Sequence, residues 1–166
     1  IDSDGGRVSM IHDRFGNLLR AVDRAGAITT HRYDERGRCT HTGLPTGASI
    51  DYSWDALDRL AAVRLDNGAT TTFTYADTSR APASVTDPVG GVTRLEWTNG
   101  LLVGTTNPVG VTLKLGYDAH GDLVSLTDSA GSVTRLVRDE AGRVVEATSP
   151  ALSLIHISEP TRPLYI

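Results

Sequence analysis

Apolar residues recur at every second position in short runs along this chain, and turn-forming residues separate the runs. The clearest runs span residues 71–75, 92–97 and 111–117, and a second set covers 18–22, 60–63, 123–126 and 144–147. They are rich in threonine, valine and aromatic residues, which favour β-strands. The pattern therefore predicts many short strands, and the density of glycine and threonine disfavours a helical solenoid.

The strand pattern repeats every 21 residues. An aromatic–aspartate pair at Tyr33-Asp34 recurs at Trp54-Asp55 and Tyr117-Asp118, and glycine follows the aspartate by three residues in most copies. The residues that we assign to this repeat motif, with a structural role, are Tyr33, Asp34, Gly37, Trp54, Asp55, Tyr75, Trp97, Gly100, Tyr117, Asp118, Gly121, Asp139 and Gly142. A second glycine column runs in the same register, so we treat the period as a property of the chain.

Each repeat predicts two strands and two turns. Asp or Asn followed three positions later by Gly is typical turn chemistry, as in 23–26 and 128–131. One extra residue at Gly90-Gly91 moves the next aromatic to Trp97, and the turn after Trp97 is one residue shorter. Turns accept such changes and strands do not. We expect an all-β chain of tandem antiparallel hairpins stacked into a curved, spiralling sheet.

Composition narrows the possible functions. The chain has 166 residues and a formal net charge of −4, which gives no indication of a nucleic-acid partner. No apolar run is long enough to span a membrane as a helix. Cys39 is the only cysteine, and we interpret it as a small apolar filler. Because the chain starts at Ile1, we expect its natural N-terminus to lie further upstream.

The motif resembles the YD-repeat or RHS-repeat family. The segments 33–38 and 117–123 follow the pattern Tyr-Asp-x-x-Gly-Arg-Leu, while Trp54-Asp55 lacks the glycine, and Glu96 and Arg138 stand at the aromatic position. The resemblance runs from near Asp2 to near Pro150. It implies β-hairpin strips that spiral into a hollow shell. In bacterial Rhs and polymorphic toxins such a shell encloses a C-terminal toxin domain, and in teneurins a related shell lies outside the cell.

The repeat register stops after Ala151. We therefore divide the chain into a repeat strip at 1–151, with about seven repeats and truncated at both ends, and a tail at 152–166. The segment 152–162 has no counterpart in the repeats and resembles an in-frame translation of a sequencing adapter. We predict that the tail is not natural protein sequence, and the alternative is a natural amphipathic terminal strand.

The sequence offers no convincing catalytic or metal-binding constellation, so we expect neither enzyme activity nor a cofactor. The five histidines (His12, His31, His41, His120 and His156) do not recur as ligand pairs. The segment 2–5 resembles the start of a calcium loop but lacks its remainder. Asp87-Pro88 resembles the self-cleavage motif of Rhs shells, but its register favours a turn.

Two functions follow as hypotheses. The first is a shell segment of a large secreted or injected bacterial toxin, whose partners are the rest of its shell and an enclosed C-terminal toxin domain. The second is a cell-surface module in which exposed aromatic residues bind carbohydrate or another cell. The arginine column at Arg38, Arg59, Arg80 and Arg143 indicates surface solubility and cross-strand pairing. As an isolated piece, the strip is predicted to aggregate or fold only partly.

Overall fold

The computed structural model describes residues 7–139 and 141–149, together with the backbone of 152–156. Within these ranges the chain forms β-strands and turns, without a helix. In residues 1–90 the strands are β1 (Ser9–His12), β2 (Leu18–Val22), β3 (Ile28–Tyr33), β4 (Cys39–Gly43), β5 (Ser49–Trp54), β6 (Leu60–Leu65), β7 (Thr70–Tyr75) and β8 (Pro82–Thr86). In residues 91–166 they are β9 (Val92–Thr98), β10 (Leu101–Thr106), β11 (Thr112–Tyr117), β12 (Leu123–Asp128), β13 (Val133–Arg138), β14 (Val144–Ser149) and β15 (Leu152–His156). No described helix is long and apolar enough to cross a membrane.

Each strand pairs antiparallel with the next strand along the chain. This holds from β1 to β8 in the first unit and from β9 to β15 in the second. The prediction of an all-β chain built from tandem antiparallel hairpins is therefore confirmed. Each hairpin with a Tyr-Asp-type turn carries a bulge beside the turn, with the extra residue on the strand that follows it. Tyr33 faces Cys39 while Arg32 faces His41, so that Thr40 is the extra residue in this hairpin.

The two faces of each unit differ in polarity. On one face lie the aromatic residues of the motif together with apolar side chains such as Leu60 and Phe73, and we call this the aromatic face. The opposite face carries mostly threonine, serine and charged residues. Among the described residues no apolar side chain is fully buried, and the most enclosed polar one is Thr42, 8% exposed. Neighbour contacts within one layer of sheet therefore provide the burial, as in other repeat architectures.

The irregular repeat is compensated by a shorter turn after Trp97 as predicted, but the extra residue does not lie at Gly90-Gly91. The Gly90 N–H donates to the Asp87 carbonyl (3.0 Å) in a turn of ordinary length, as Gly68 does to Leu65 (2.9 Å). β9 is seven residues long, and Trp97 faces Leu102 across the hairpin as Tyr33 faces Cys39. Trp97 thus occupies the aromatic position that the period alone assigns to Glu96, which instead faces Gly104. The extra residue lies in the turn between β7 and β8. Tyr75 faces Pro82, seven residues on, whereas Tyr33 faces Cys39, six residues on. The 21-residue spacing alone would have placed Ala81 opposite Tyr75.

The C-terminal segment pairs as a strand as far as the structure describes it. β15 lies antiparallel to β14, and Ala147 faces Ile155. An unpaired sheet edge accepts a strand of almost any alternating sequence, so this pairing is expected of a natural strand and of an adapter translation alike. The predicted boundary at Ala151 and residues 157–166 lie outside the described residues, and the origin of the tail stays a prediction.

Candidate functional site: the turns that join successive repeats

The aspartate of each Tyr-Asp-type turn holds that turn closed. The Asp34 carboxylate Oδ1 accepts the backbone N–H groups of Arg36 (2.9 Å) and Arg38 (3.0 Å), and the Gly37 N–H donates to the Asp34 carbonyl (3.0 Å). Asp13, Asp55, Asp118 and Asp139 make the same pair of carboxylate bonds two and four residues on. One short side chain thereby satisfies two turn N–H groups that would otherwise bond only to water.

The aromatic position ties each repeat to the one before it. The Tyr33 hydroxyl donates to the Leu18 carbonyl (3.0 Å), and the Tyr75 hydroxyl donates to the Leu60 carbonyl (2.8 Å). The same bond, always to a carbonyl 15 residues earlier, comes from Trp54 Nε1, from the Tyr117 hydroxyl and from the guanidinium of Arg138. The position therefore requires a side chain that reaches this carbonyl with a donor, and Arg138 meets the requirement without an aromatic ring.

The arginine at the end of the turn reaches forward to the next turn. Arg59 Nε pairs with Asp55 Oδ2 (2.7 Å), while its Nη1 donates to the carbonyls of Asp77 (2.7 Å) and Ser79 (2.9 Å). Its guanidinium also lies 4.3 Å from the ring centroid of Tyr75. The side chain is only 13% exposed. Interpreting this column as surface solubility was therefore wrong for Arg59, which bridges two repeats.

Arg38 makes the equivalent bridge with an additional ion pair. Its Nε bonds to Asp34 Oδ2 (2.7 Å) and its Nη1 donates to the Asp55 carbonyl (3.2 Å) and to the Asp58 carboxylate (2.7 Å). Arg36 pairs with the same Asp58 carboxylate (2.8 Å). Asp58 stands where most repeats have glycine and adopts φ +61°, a left-handed conformation that side chains disfavour. The two arginine contacts compensate for this backbone cost.

These contacts shift the acidity of the turn residues. The hydrogen bond from the Arg38 side chain holds the pKa of Asp34 below its usual 3.8. The pKa of Asp55 is lowered first by the backbone N–H of Arg59, and that of Asp58 first by the Arg36 side chain. Burial raises the pKa of Tyr33 and of Tyr75 above 10.0. Each shift favours the protonation state in which the turn contacts form.

The other candidate residues from the sequence lie in separate places, as far as they belong to the described part of the chain. No set of three or more His, Cys, Asp or Glu side chains is placed to hold a metal ion among the residues described. His31 Nδ1 lies 3.0 Å from the Thr42 hydroxyl, and His41 Nδ1 lies 2.7 Å from the Asp51 carboxylate. Asp87 accepts the Val89 N–H (2.9 Å) inside an ordinary turn. Residues 2–5, the suggested calcium loop, lie outside the described part of the chain.

The sequence identified the motif columns but not the atoms that they join. It placed Tyr33, Asp34, Gly37 and their equivalents in register, and the structure brings these residues together at the turns. It missed the forward contacts of Arg38 and Arg59. The sequence carried a signal only for the ion pair within a turn, because Arg38, Arg59 and Arg143 each stand four residues after an aspartate.

Comparisons with known proteins agree with the geometry. The RHS Repeat model matches residues 12–49, 54–92 and 117–152. The Toxin protein Tse5 of Pseudomonas aeruginosa is 29% identical over 161 residues, covering 89% of this chain and 11% of that protein. A crystal structure of TcdB2-TccC3 superposes with a TM-score of 0.67 at 20% identity, over 93% of this chain and 10% of that one. A Photorhabdus luminescens Tc holotoxin pore gives 0.65 at 16% identity, over 87% of this chain and 9% of that one.

The chain thus spans about a tenth of the length of these relatives. The family model covers well over half of the chain, and its three matches each contain a Tyr-Asp-type turn or its equivalent. The structural likeness covers 93% of this chain. The chain belongs to the RHS-repeat family.

Proposed function

We propose that this chain is a wall segment of the shell of a large secreted or injected bacterial toxin, and that the complete shell encloses a C-terminal toxin domain. Its function is containment, in which a sheet-walled compartment separates a harmful domain from the cell that makes it. The partners are the remaining repeats of the same protein and the enclosed domain. We propose no catalytic role for the strip itself.

The observation that carries this proposal is how the repeats use their polar side chains. The hydroxyls of Tyr33, Tyr75 and Tyr117 each bond to the backbone of the preceding repeat. Arg38 and Arg59 reach across to the following turn. Side chains placed in this way reinforce a wall. The similarity to Tse5 and to TcdB2-TccC3 supports a toxin setting for such a wall.

The alternative, a surface module that binds carbohydrate, requires aromatic faces and polar groups directed at a ligand. Trp97 is 38% exposed and is the residue that most favours this function. The other four aromatic residues of the motif are half-buried, and their donors bond to the neighbouring repeat. This arrangement supports the shell over the binding surface.

Long-read sequencing of the source DNA from Ala151 onward is the first test. We expect further repeats followed by an unrelated terminal domain, and the recombinant full-length protein should then protect that domain from added protease. Arg59→Met weakens the contact between two repeats of the wall, so it should shorten the time for which the terminal domain resists the protease. A reading frame that leads to a membrane or cell-wall anchor without a terminal toxin would overturn the proposal in favour of the surface module. If genomic DNA encodes residues 152–162, the adapter interpretation of the tail is wrong.

A further inference from the structure

Two successive gaps between turns in residues 1–90 are bridged by arginine side chains. Arg38 spans the gap between turns 34–37 and 55–58, and Arg59 spans the gap between turns 55–58 and 76–79. Each guanidinium pairs with the aspartate of its own turn and bonds to oxygens of the next turn. Each also lies over the aromatic ring of the next repeat, 5.8 Å from Trp54 and 4.3 Å from Tyr75.

The preceding gap, between turns 13–16 and 34–37, has a shorter side chain at the arginine position. Asn17 Nδ2 donates to Asp13 Oδ2 (2.8 Å), which reproduces the bond to the turn aspartate. The amide ends beside Gly37, where a Cβ atom would lie 3.7 Å from Asn17 Oδ1. An open groove of about 630 Å³ remains between these two turns.

The groove presents the same elements as the two bridged gaps. It is lined by the ring of Tyr33, by Asp13 and by the turn residues Asp34, Glu35 and Gly37. Tyr33 is the equivalent of Trp54 and Tyr75, and the turn 34–37 is the equivalent of the turns that accept bonds from Arg38 and Arg59. The internal repeats therefore show which chemical group this set of oxygens and this ring accommodate.

The charges around the groove also favour a cation. Asp13 and Glu35 carry negative charge at its edge. Arg36 also lines the groove, and its guanidinium pairs with Asp58 of the following turn. The Arg14 guanidinium lies 4.6 Å from the ring centroid of Phe15, another lining residue.

We propose that this groove, which we call the Asn17 groove, binds the guanidinium of an arginine side chain from a partner polypeptide. A guanidinium is favoured over an ammonium because it is planar, stacks on an aromatic ring and offers several donors, as Arg38 and Arg59 do in the two bridged gaps. The site is shallow, so one side chain binds weakly and serves as a single anchor within a larger contact. It therefore adds an interaction site beside two turn gaps that are bridged from within by Arg38 and Arg59.

The test uses the full chain and N-acetylarginine methylamide as the probe, followed by ligand-observed saturation-transfer NMR at low protein concentration. The citrulline analogue has nearly the same shape without the charge. We expect it to bind about five- to tenfold more weakly, as for loss of one surface charge contact together with a ring contact. Equal binding of the two probes to the wild-type chain would overturn the proposal, whatever the variants do.

Two substitutions at one position then locate the site. Asn17→Arg supplies the bridging guanidinium from within, so it should abolish binding of the probe and raise the unfolding temperature. Asn17→Gln lengthens the side chain and keeps a neutral amide, so it should retain binding. Binding of the probe to Asn17→Arg at the wild-type level would place the interaction elsewhere and refute the assignment.

Discussion

Replacing Arg59 by methionine removes a guanidinium and keeps most of the apolar stem. The lost contacts are the pair with Asp55, two bonds to carbonyls of the next turn and the contact with the Tyr75 ring. A hydrogen bond to a charged group contributes about 1.5–3 kcal/mol, but bonds from one side chain are not additive. Ordering a long side chain also costs about 1–2 kcal/mol, which the variant recovers. We therefore expect a net loss of about 2 kcal/mol at the contact between these repeats.

Hydrogen exchange followed by mass spectrometry measures this loss where it occurs. Amides in 70–86 should exchange about 30-fold faster in the variant, since about 1.4 kcal/mol corresponds to a factor of ten. Arg143→Met is the matched control. Arg143 makes the same pair with its turn aspartate (2.8 Å) but is 66% exposed, so solvent screens its contacts and its removal should cost less than half as much.

Two results would refute this reasoning. An exchange rate in 70–86 that changes by less than about threefold would mean that the bridge contributes little beyond its solvation cost. An equal effect of the two arginine substitutions would mean that the turn ion pair alone matters. In that case the forward bonds to the next turn would be incidental.

Three further outcomes test the same turns. Tyr75→Phe should destabilise the adjoining repeats by about 1 kcal/mol by urea unfolding, whereas Tyr52→Phe, which loses no hydrogen bond, should be nearly neutral. Asp58→Gly relieves the positive φ but loses two ion pairs. Because salt screens ion pairs, the free energy of unfolding of the variant should rise relative to that of the wild type between low and high salt, and an unchanged difference would contradict this. The pKa of Asp55 is lowered in the folded chain by the backbone N–H of Arg59, so its contribution to stability is present above pH 3.8 and is lost as the pH falls through the lowered value; Asp55→Asn should flatten that part of a pH titration followed by circular dichroism.

Sequence reasoning succeeded where a feature depends on spacing. The alternating runs, the 21-residue period and the shorter turn after Trp97 all concern which residues occupy equivalent positions. The extra residue before Trp97 was assigned to Gly90-Gly91, and the structure places it in the turn between β7 and β8. Position along a strand determines the face of a side chain and its partner across the hairpin. The place of Trp97 opposite Leu102 could therefore be derived before any coordinates.

Sequence reasoning missed features that depend on how far a side chain extends. Arg138 replaces an aromatic residue in the motif and appears as a degenerate position, yet its guanidinium bonds to the Leu123 carbonyl as a tyrosine hydroxyl would. Arg59 appears as a solvated charge, yet it contacts a turn about 20 residues further along the chain. Such contacts depend on side-chain length and on the distance between neighbouring turns, and the 21-residue period gives neither quantity.

The donor at the aromatic position always bonds to a carbonyl 15 residues earlier in the chain. This constant separation has a consequence for how such strips change over evolutionary time. A duplication or deletion of one whole repeat creates a junction in which every donor still meets its acceptor. A change by any other length within these 15 residues moves the donor away from its carbonyl. The turns that follow the aromatic position lie outside this span, and they do vary in length, as after Tyr75 and after Trp97. Strips of this kind are therefore expected to lengthen and shorten in whole hairpins, so that the space enclosed by a wall made of them would grow in discrete steps.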